Sequence, residues 1–396
     1  MKRSTDRILT THVGSLARAP ELSAAIRSRE SGQPVDEPEL SRSIEDAVRD
    51  VVKRQVDAGI DIIDDGEQGK LSFNGYVNSR LEGFELRPSP LAGRGPWAGT
   101  REAAAFPEFY GRNLPQGAPA GSGTTGGGFG GIVTCVGLVK YKGHAVVKQD
   151  IERLAGATAG LRHEELFMPS LGAAYIAATR PNEYYRTDEE YHQVLAEAMA
   201  EEYRAIIDAG LTLQVDEPRM LMYWTMHPDK SIEEARIWAQ RSAEITNYSL
   251  RDIPPERVRF HTCYGIDIGP RVYDIELKHV IDILLRVNAG AYSFEASNPR
   301  HEHEYHLWEE VRLRDGQILI PGVISHTTNL VEHPELIAER IGRYARIVGR
   351  ENVIAGADCG FSAGGGGQPD IHPTVVWAKF SALVEGARLA TNQLWA

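Results

Sequence analysis

Short runs of apolar, β-favouring residues recur along the chain and alternate with longer stretches of helical periodicity, the pattern of repeated parallel βα units. The runs predict strands at Ile8 to Val13, Ile60 to Asp65, Glu164 to Met168, Thr212 to Asp216, Arg257 to Thr262, Ala291 to Phe294, Ile318 to Val323 and Val353 to Ala357. Between them, amphipathic segments predict helices at Glu37 to Ala58, Thr187 to Ala209, Ser231 to Leu250, Pro334 to Val348 and Pro373 to Asn392, with Thr187 and Ser231 suited to capping. Eight strands with intervening helices argue for an α/β fold, a (β/α)8 TIM barrel of one domain over residues 1–396. A doubly wound open sheet is the alternative, but its G-x-G-x-x-G turn does not follow the first strand. A Gly/Pro-rich excursion after the second strand, about 88–131, breaks the pattern and ends in a glycine-rich run from Gly121 to Gly131. No Gly-Lys-Ser/Thr follows, so this run and Gly364 to Gly367 read as loops with the freedom to close over a ligand, not as phosphate cradles.

Composition narrows the partners. The 396 residues are 42% hydrophobic, enough for a sizeable core, and 43 basic against 55 acidic residues give a net charge of -12 without a Lys/Arg run. Nucleic acid is therefore not the expected partner. No apolar stretch reaches the roughly 18 to 20 residues of a membrane span, and the opening residues lead into a strand pattern, so a cytoplasmic protein acting on small molecules is expected. Only Cys135, Cys263 and Cys359 occur, too few for a disulfide framework. Cys135 lies in the apolar run Ile132 to Val136 and reads as a core thiol.

In a barrel of this kind the chemistry gathers at the carboxyl ends of the strands. Those ends read Gly14-Ser15, Gly66-Glu67, Pro169-Ser170, Asp216-Glu217-Pro218, His261-Thr262-Cys263, Glu295, His326 and Asp358-Cys359. His261 and Cys263 stand two apart, on one face of a strand, and Glu295 and Cys359 end later strands. One imidazole, one carboxylate and two thiolates on one rim suit Zn2+. Buried inert thiols are the bland alternative, yet both cysteines are flanked by polar and glycine residues. Two thiolates and a carboxylate leave such a zinc site at about -1, a poor generator of hydroxide but a good holder of a nucleophilic substrate thiolate. His301, Glu302, His303, Glu304 and His306 form a second imidazole-rich cluster whose spacing fits the exposed start of a helix.

The motifs Thr11-His12-Val13-Gly14-Ser15, Asp65-Gly66-Glu67, Val215-Asp216-Glu217-Pro218, His261-Thr262-Cys263, Phe294-Glu295 and Asp358-Cys359-Gly360, in this order, resemble the catalytic domain of the cobalamin-independent methionine synthase family. The resemblance implies a (β/α)8 barrel with zinc on His261, Cys263, Glu295 and Cys359. It further implies a substrate amino acid, homocysteine in that family, held by Ser15, Glu67 and Asp216. A histidine after the seventh strand acts there as proton donor to the leaving group, and His326 is its match after a one-residue shift. The chain's length leaves no room for the second barrel of the long members, and Gly66 to Lys70 and Phe294 to His303 look closer to a short single-barrel branch that includes epoxyalkane:coenzyme M transferase. The expectation is a zinc-dependent thiol methyl- or alkyltransferase acting on a small-molecule thiol and an alkyl donor. Epoxide opening by a thiol is the nearest alternative, and a zinc hydrolase or lyase, or a non-catalytic thiol-binding protein, is the alternative of another class. Arg18, Lys70 and Arg300 lie next to the motifs and are able to receive an anionic group, although a solvated surface charge is the commoner role of such residues. Oligomeric state is not legible.

Overall fold

The computed structural model describes residues 1–88, 97, 99–112, 131–265, 269–362 and 371–396. Both glycine runs noted above lie outside these residues, apart from Gly131, and so does most of the excursion between 89 and 130.

Eight parallel strands, β1 (Leu9–Thr10), β2 (Ile62–Ile63), β3 (Glu165–Leu171), β4 (Thr212–Asp216), β5 (Val258–His261), β6 (Ala291–Glu295), β7 (Ile318–Ile324) and β8 (Ile354–Ala357), form one sheet. Neighbours in sequence pair from β2 through β8, and β8 returns to β1. The two ends of the sheet meet where the Asp61 amide donates to the Thr10 carbonyl at 3.2 Å, which completes the (β/α)8 barrel.

The helices form where the sequence supplies both a buried stripe and a stop. Helix Glu37–Ala58 starts at Asp36, whose side chain accepts from the Glu39 amide, buries Leu40, Ile44, Val48 and Val52 at four-residue spacing, and ends at Gly59 in the left-handed region (φ 86°). Helix Ile232–Ser249 starts with a reciprocal capping box between Ser231 and Glu234.

Inside the barrel the side chains stack in layers. Leu9, Ile62, Phe167, Ala291, Ile318, Ile320 and Ile354 form an apolar floor. One layer up, the buried Arg259 guanidinium lies 4.0 Å from the Phe167 ring centroid and donates to Thr11 Oγ1 at 3.0 Å and the His12 carbonyl at 2.9 Å. Strand periodicity then places His261 directly above Arg259, Asp216 above Gln214, and Glu295 above Ser293. The sequence did not reveal an antiparallel hairpin, Leu81–Pro88 with Gly131–Tyr141, at the base of the excursion. It is tied to the barrel by buried Arg80, which pairs with Asp150 at 2.5 Å and Glu202 at 2.9 Å. Among the described residues no helix is long and apolar enough to cross a membrane.

Candidate metal centre

β5 ends at His261 and delivers Cys263 two residues later, while β8 delivers Cys359, so three ligand-type side chains converge from opposite sides of the barrel mouth. Their donor atoms lie within 4.8 Å of one another, and all three residues are buried. The Cys263 and Cys359 sulfurs are 3.0 Å apart, well beyond the disulfide length of about 2.05 Å and close enough to face one ion. His261 is turned by Ser293, whose Oγ lies 3.1 Å from Nδ1, and its other ring nitrogen, Nε2, is buried without a hydrogen-bond partner. A buried orphan nitrogen facing two thiols is the arrangement a thiophilic cation satisfies, and a ring oriented through its second nitrogen is usual for a metal-binding histidine. Burial, with Arg259 and His326 nearby, lowers the His261 pKa to about 3, so the ring is neutral and its lone pair available at any physiological pH. The hydrogen bond with Cys263, then burial, raises the Cys359 thiol well above its ordinary value.

The fourth expected ligand stands beside this cluster, not within it. Glu295 groups with His326 and Asp358, again with donor atoms within 4.8 Å. Its carboxylate accepts from the Tyr264 amide at 2.7 Å and from Asn298 Nδ2 at 3.0 Å, and its charge reaches Cys359. Asp358 is saturated, accepting from the amides of Ala296 and Ser297 at 2.8 and 2.9 Å and from Ser297 Oγ at 2.6 Å. It therefore clamps the turn after β6 instead of competing for an ion. His326 is buried, its Nε2 is 3.3 Å from the Gly265 carbonyl, and its Nδ1 has no partner. Burial lowers its pKa.

Ser15, Glu67 and Asp216 line the same mouth. Ser15 packs on the turn after Cys359: a Cβ on Gly360 would stand 2.1 Å from Ser15 Oγ, and the Phe361 amide donates to the Ser15 carbonyl at 2.9 Å. Glu67 takes a left-handed backbone (φ 56°), rare for a residue with a side chain, and its Oε2 is buried without a partner. Burial, then the nearby Glu67 charge, holds Asp216 well above the usual carboxylate range. Of the three cations near the motifs, Lys70 and Arg18 are engaged by the protein and Arg300 is a surface charge. Lys70 is engaged inside the protein, with Glu67 Oε1 at 3.3 Å and the Pro169 carbonyl at 2.6 Å. Arg18 donates to the carbonyls of Lys70 and Leu71, and Arg300 is exposed on the Val272 carbonyl.

The imidazole-rich cluster corrects an expectation. It forms a short 3-10 helix, Glu302–His306, and His301 is buried instead of exposed. Its Nδ1 lies 2.8 Å from Glu304, its Nε2 lies 3.3 Å from Asp274, and its ring stacks on Tyr264 at 3.6 Å and 6°. The carboxylates that hold it sit 27 residues before and three after, so linear spacing does not show the group. Burial alone lowers the His301 pKa, but the hydrogen bonds to Asp274 and Glu304 outweigh it and raise the value from 6.5 to about 9. A raised pKa means the stabilisation is complete below about pH 6.5 and is lost as pH climbs through about 9. We expect His301→Gln to remove up to about 3 kcal/mol of unfolding free energy at pH 6 and much less at pH 9.5, read by urea denaturation at both pH values. An equal loss at both would refute the charged-histidine account.

The chain is similar to known proteins over nearly its whole length. Residues 173–368 match the family described as cobalamin-independent synthase, catalytic domain. A methionine synthase of Thermococcus kodakarensis is 22% identical over 97% of this chain and 94% of its own length, and one of Sulfurisphaera tokodaii is 24% identical over 97% and 93%. These relatives match this chain end to end, without a second barrel's worth of extra sequence. The solved structure of a B12-independent methionine synthase from Shewanella sp. W3-18-1, in complex with selenomethionine, superposes with a TM-score of 0.71 at 20% identity, covering 98% of this chain and 99% of that one, and so shares the fold. The catalytic-domain match spans β4 to β8, so over residues 173–368 the chain is similar to the catalytic domain of cobalamin-independent synthases, and it shares its barrel with a B12-independent methionine synthase.

Proposed function

We propose that the protein is a zinc-dependent thiol methyltransferase in which His261, Cys263, Glu295 and Cys359 hold the ion and a substrate thiol takes an alkyl group from a donor. The observation that carries this reading is the convergence of two thiols and an unpartnered imidazole nitrogen within 4.8 Å. Bound there, zinc lowers the pKa of a substrate thiol and keeps it as thiolate at neutral pH, and the anionic ligand set preserves its nucleophilicity. Ser15, Glu67 and Asp216 hold the polar end of that thiol. Burial and then the Glu67 charge disfavour the charged form of Asp216, and an ammonium group favours it, so the pocket suits an aminothiol such as homocysteine. When charged, His326 donates from Nε2 to the Gly265 carbonyl and carries its second proton on Nδ1, the unpartnered ring nitrogen, from which it passes to the departing group. Methyl is the favoured alkyl group because the end-to-end relatives are methionine synthases.

X-ray absorption at the zinc edge tests the reading. Adding homocysteine to the zinc-loaded protein is expected to bring a third sulfur into the shell. An unchanged shell at saturating thiol would sink it.

A further inference from the structure

Among the described residues, the other arginines buried to a similar degree donate hydrogen bonds to protein acceptors, and Arg219 does not. Arg80 pairs with Asp150 and Glu202, Arg180 donates to Asn78 and the Asn74 carbonyl, Arg259 donates to Thr11 and His12, and Arg340 pairs with Glu302. Arg219, only 6% exposed, has neither a hydrogen-bond acceptor nor a carboxylate partner among the described residues, and its Nε is fully enclosed. Its contact is the Tyr175 ring, 5.8 Å from the guanidinium carbon. The adjacent acids do not serve it: Asp216 Oδ1 accepts from Gln214 at 2.9 Å, and Glu217 Oε1 accepts from the Tyr175 amide at 3.1 Å.

Its place in the fold gives this isolation a use. Arg219 opens helix Arg219–Met226 at the carboxyl end of β4. Tyr175 follows β3, and Phe73 and Asn74, which follow β2, touch it through a ring contact at 5.7 Å and a hydrogen bond at 3.1 Å. The charges of Arg219 and of the Cys263 thiol both reach the Tyr175 hydroxyl, so the guanidinium lies in the neighbourhood of the candidate metal centre. A mostly buried guanidinium with its Nε enclosed and no protein acceptor is costly, and a planar oxyanion presented to its fork of donors offsets that cost.

We propose that Arg219 is an anion-recognition residue of the barrel mouth, docking a carboxylate or similar oxyanion carried by a substrate above Tyr175. The identity of that substrate rests on the methyltransferase reading, and the oxyanion belongs either to the thiol or to the alkyl donor.

Thermal unfolding in inorganic sulfate tests the anion site without turnover. Sulfate is expected to raise the Tm of the wild type and of Arg219→Lys, and to leave Arg219→Met unmoved. Equal responses in wild type and Arg219→Met, including no response in either, overturn the proposal, and Arg219→Gln replaces the Met variant if that one fails to fold. Binding of homocysteine and of 3-aminopropane-1-thiol, its analogue without the carboxylate, separates the sources. A loss of about tenfold to a hundredfold for homocysteine alone places the thiol's carboxylate on Arg219. Unchanged binding of both thiols, with the sulfate response lost, assigns the site to the donor's acid group. An equal loss for both thiols signals general distortion and overturns the proposal. If the wild type binds neither thiol while the sulfate response still depends on Arg219, the methyltransferase reading fails and the anion site stands.

Discussion

Cys263→Ser and Cys359→Ser are each expected to strip the protein of zinc and of activity. Structural zinc sites bind with about 10–16 kcal/mol shared over four ligands, so losing one thiolate weakens the site on the order of 10²- to 10³-fold. Serine nearly preserves the shape of these two buried side chains, so the fold survives and the loss is read as metal content after dialysis against a chelator. The wild type should retain about one zinc per chain. Cys135→Ser is the control: Cys135 is fully buried in the hairpin, donates to the Gly137 carbonyl at 3.5 Å and lies outside the cluster, so that variant keeps its zinc. Since the Cys359 thiol is held protonated in the metal-free site, zinc uptake releases protons and tightens as pH rises, a dependence that calorimetry in buffers of different ionisation enthalpy measures. Full zinc retention in both serine variants would remove the basis for the proposed chemistry.

His326→Asn is the second large effect. A positioned proton donor contributes roughly 10² to 10⁴ in rate, so kcat should fall by that range while zinc content and thiol binding hold. The pH dependence has a definite sign. Burial lowers the His326 pKa, so its proton-bearing form becomes scarce as pH rises, and the rate should decline with rising pH along that limb. In His326→Asn the limb should vanish. A variant that loses zinc together with kcat would show that His326 holds the centre and does not act on the leaving group.

How far the amino-acid sequence discloses this molecule depends on the range of the interactions involved. All eight barrel strands stand out because each is a short apolar run whose pattern is local, and the strand ends at Asp216, His261 and Glu295 follow from that pattern. The hairpin does not stand out: Leu81–Pro88 is interrupted by Gly83, mostly leaves its side chains partly exposed, and pairs with a partner more than forty residues on. Cysteines are rare enough that Cys263 and Cys359 invite pairing on sight, and the barrel does bring them together. His301 reads as exposed because its run of alternating His and Glu is compatible with an exposed helix, and only the fold supplies Asp274 and Tyr264. Lys70 reads as a free cation, yet a three-residue turn returns it to Glu67. Arg219 leaves no local signal, because what distinguishes it is the lack of a hydrogen-bond acceptor among the described residues.

The apolar floor of Leu9, Ile62, Phe167, Ala291, Ile318, Ile320 and Ile354 makes the barrel a blind-ended well. Everything that reacts at the centre must arrive and depart through one mouth, so whichever reactant sits deeper enters first and leaves last. Were the proposed thiol to sit at the metal with the donor nearer the rim, turnover would become a last-in, first-out queue. A spent donor that lingers at the rim would then trap the finished product beneath it, making the pace of the whole cycle a matter of traffic as much as of bond making.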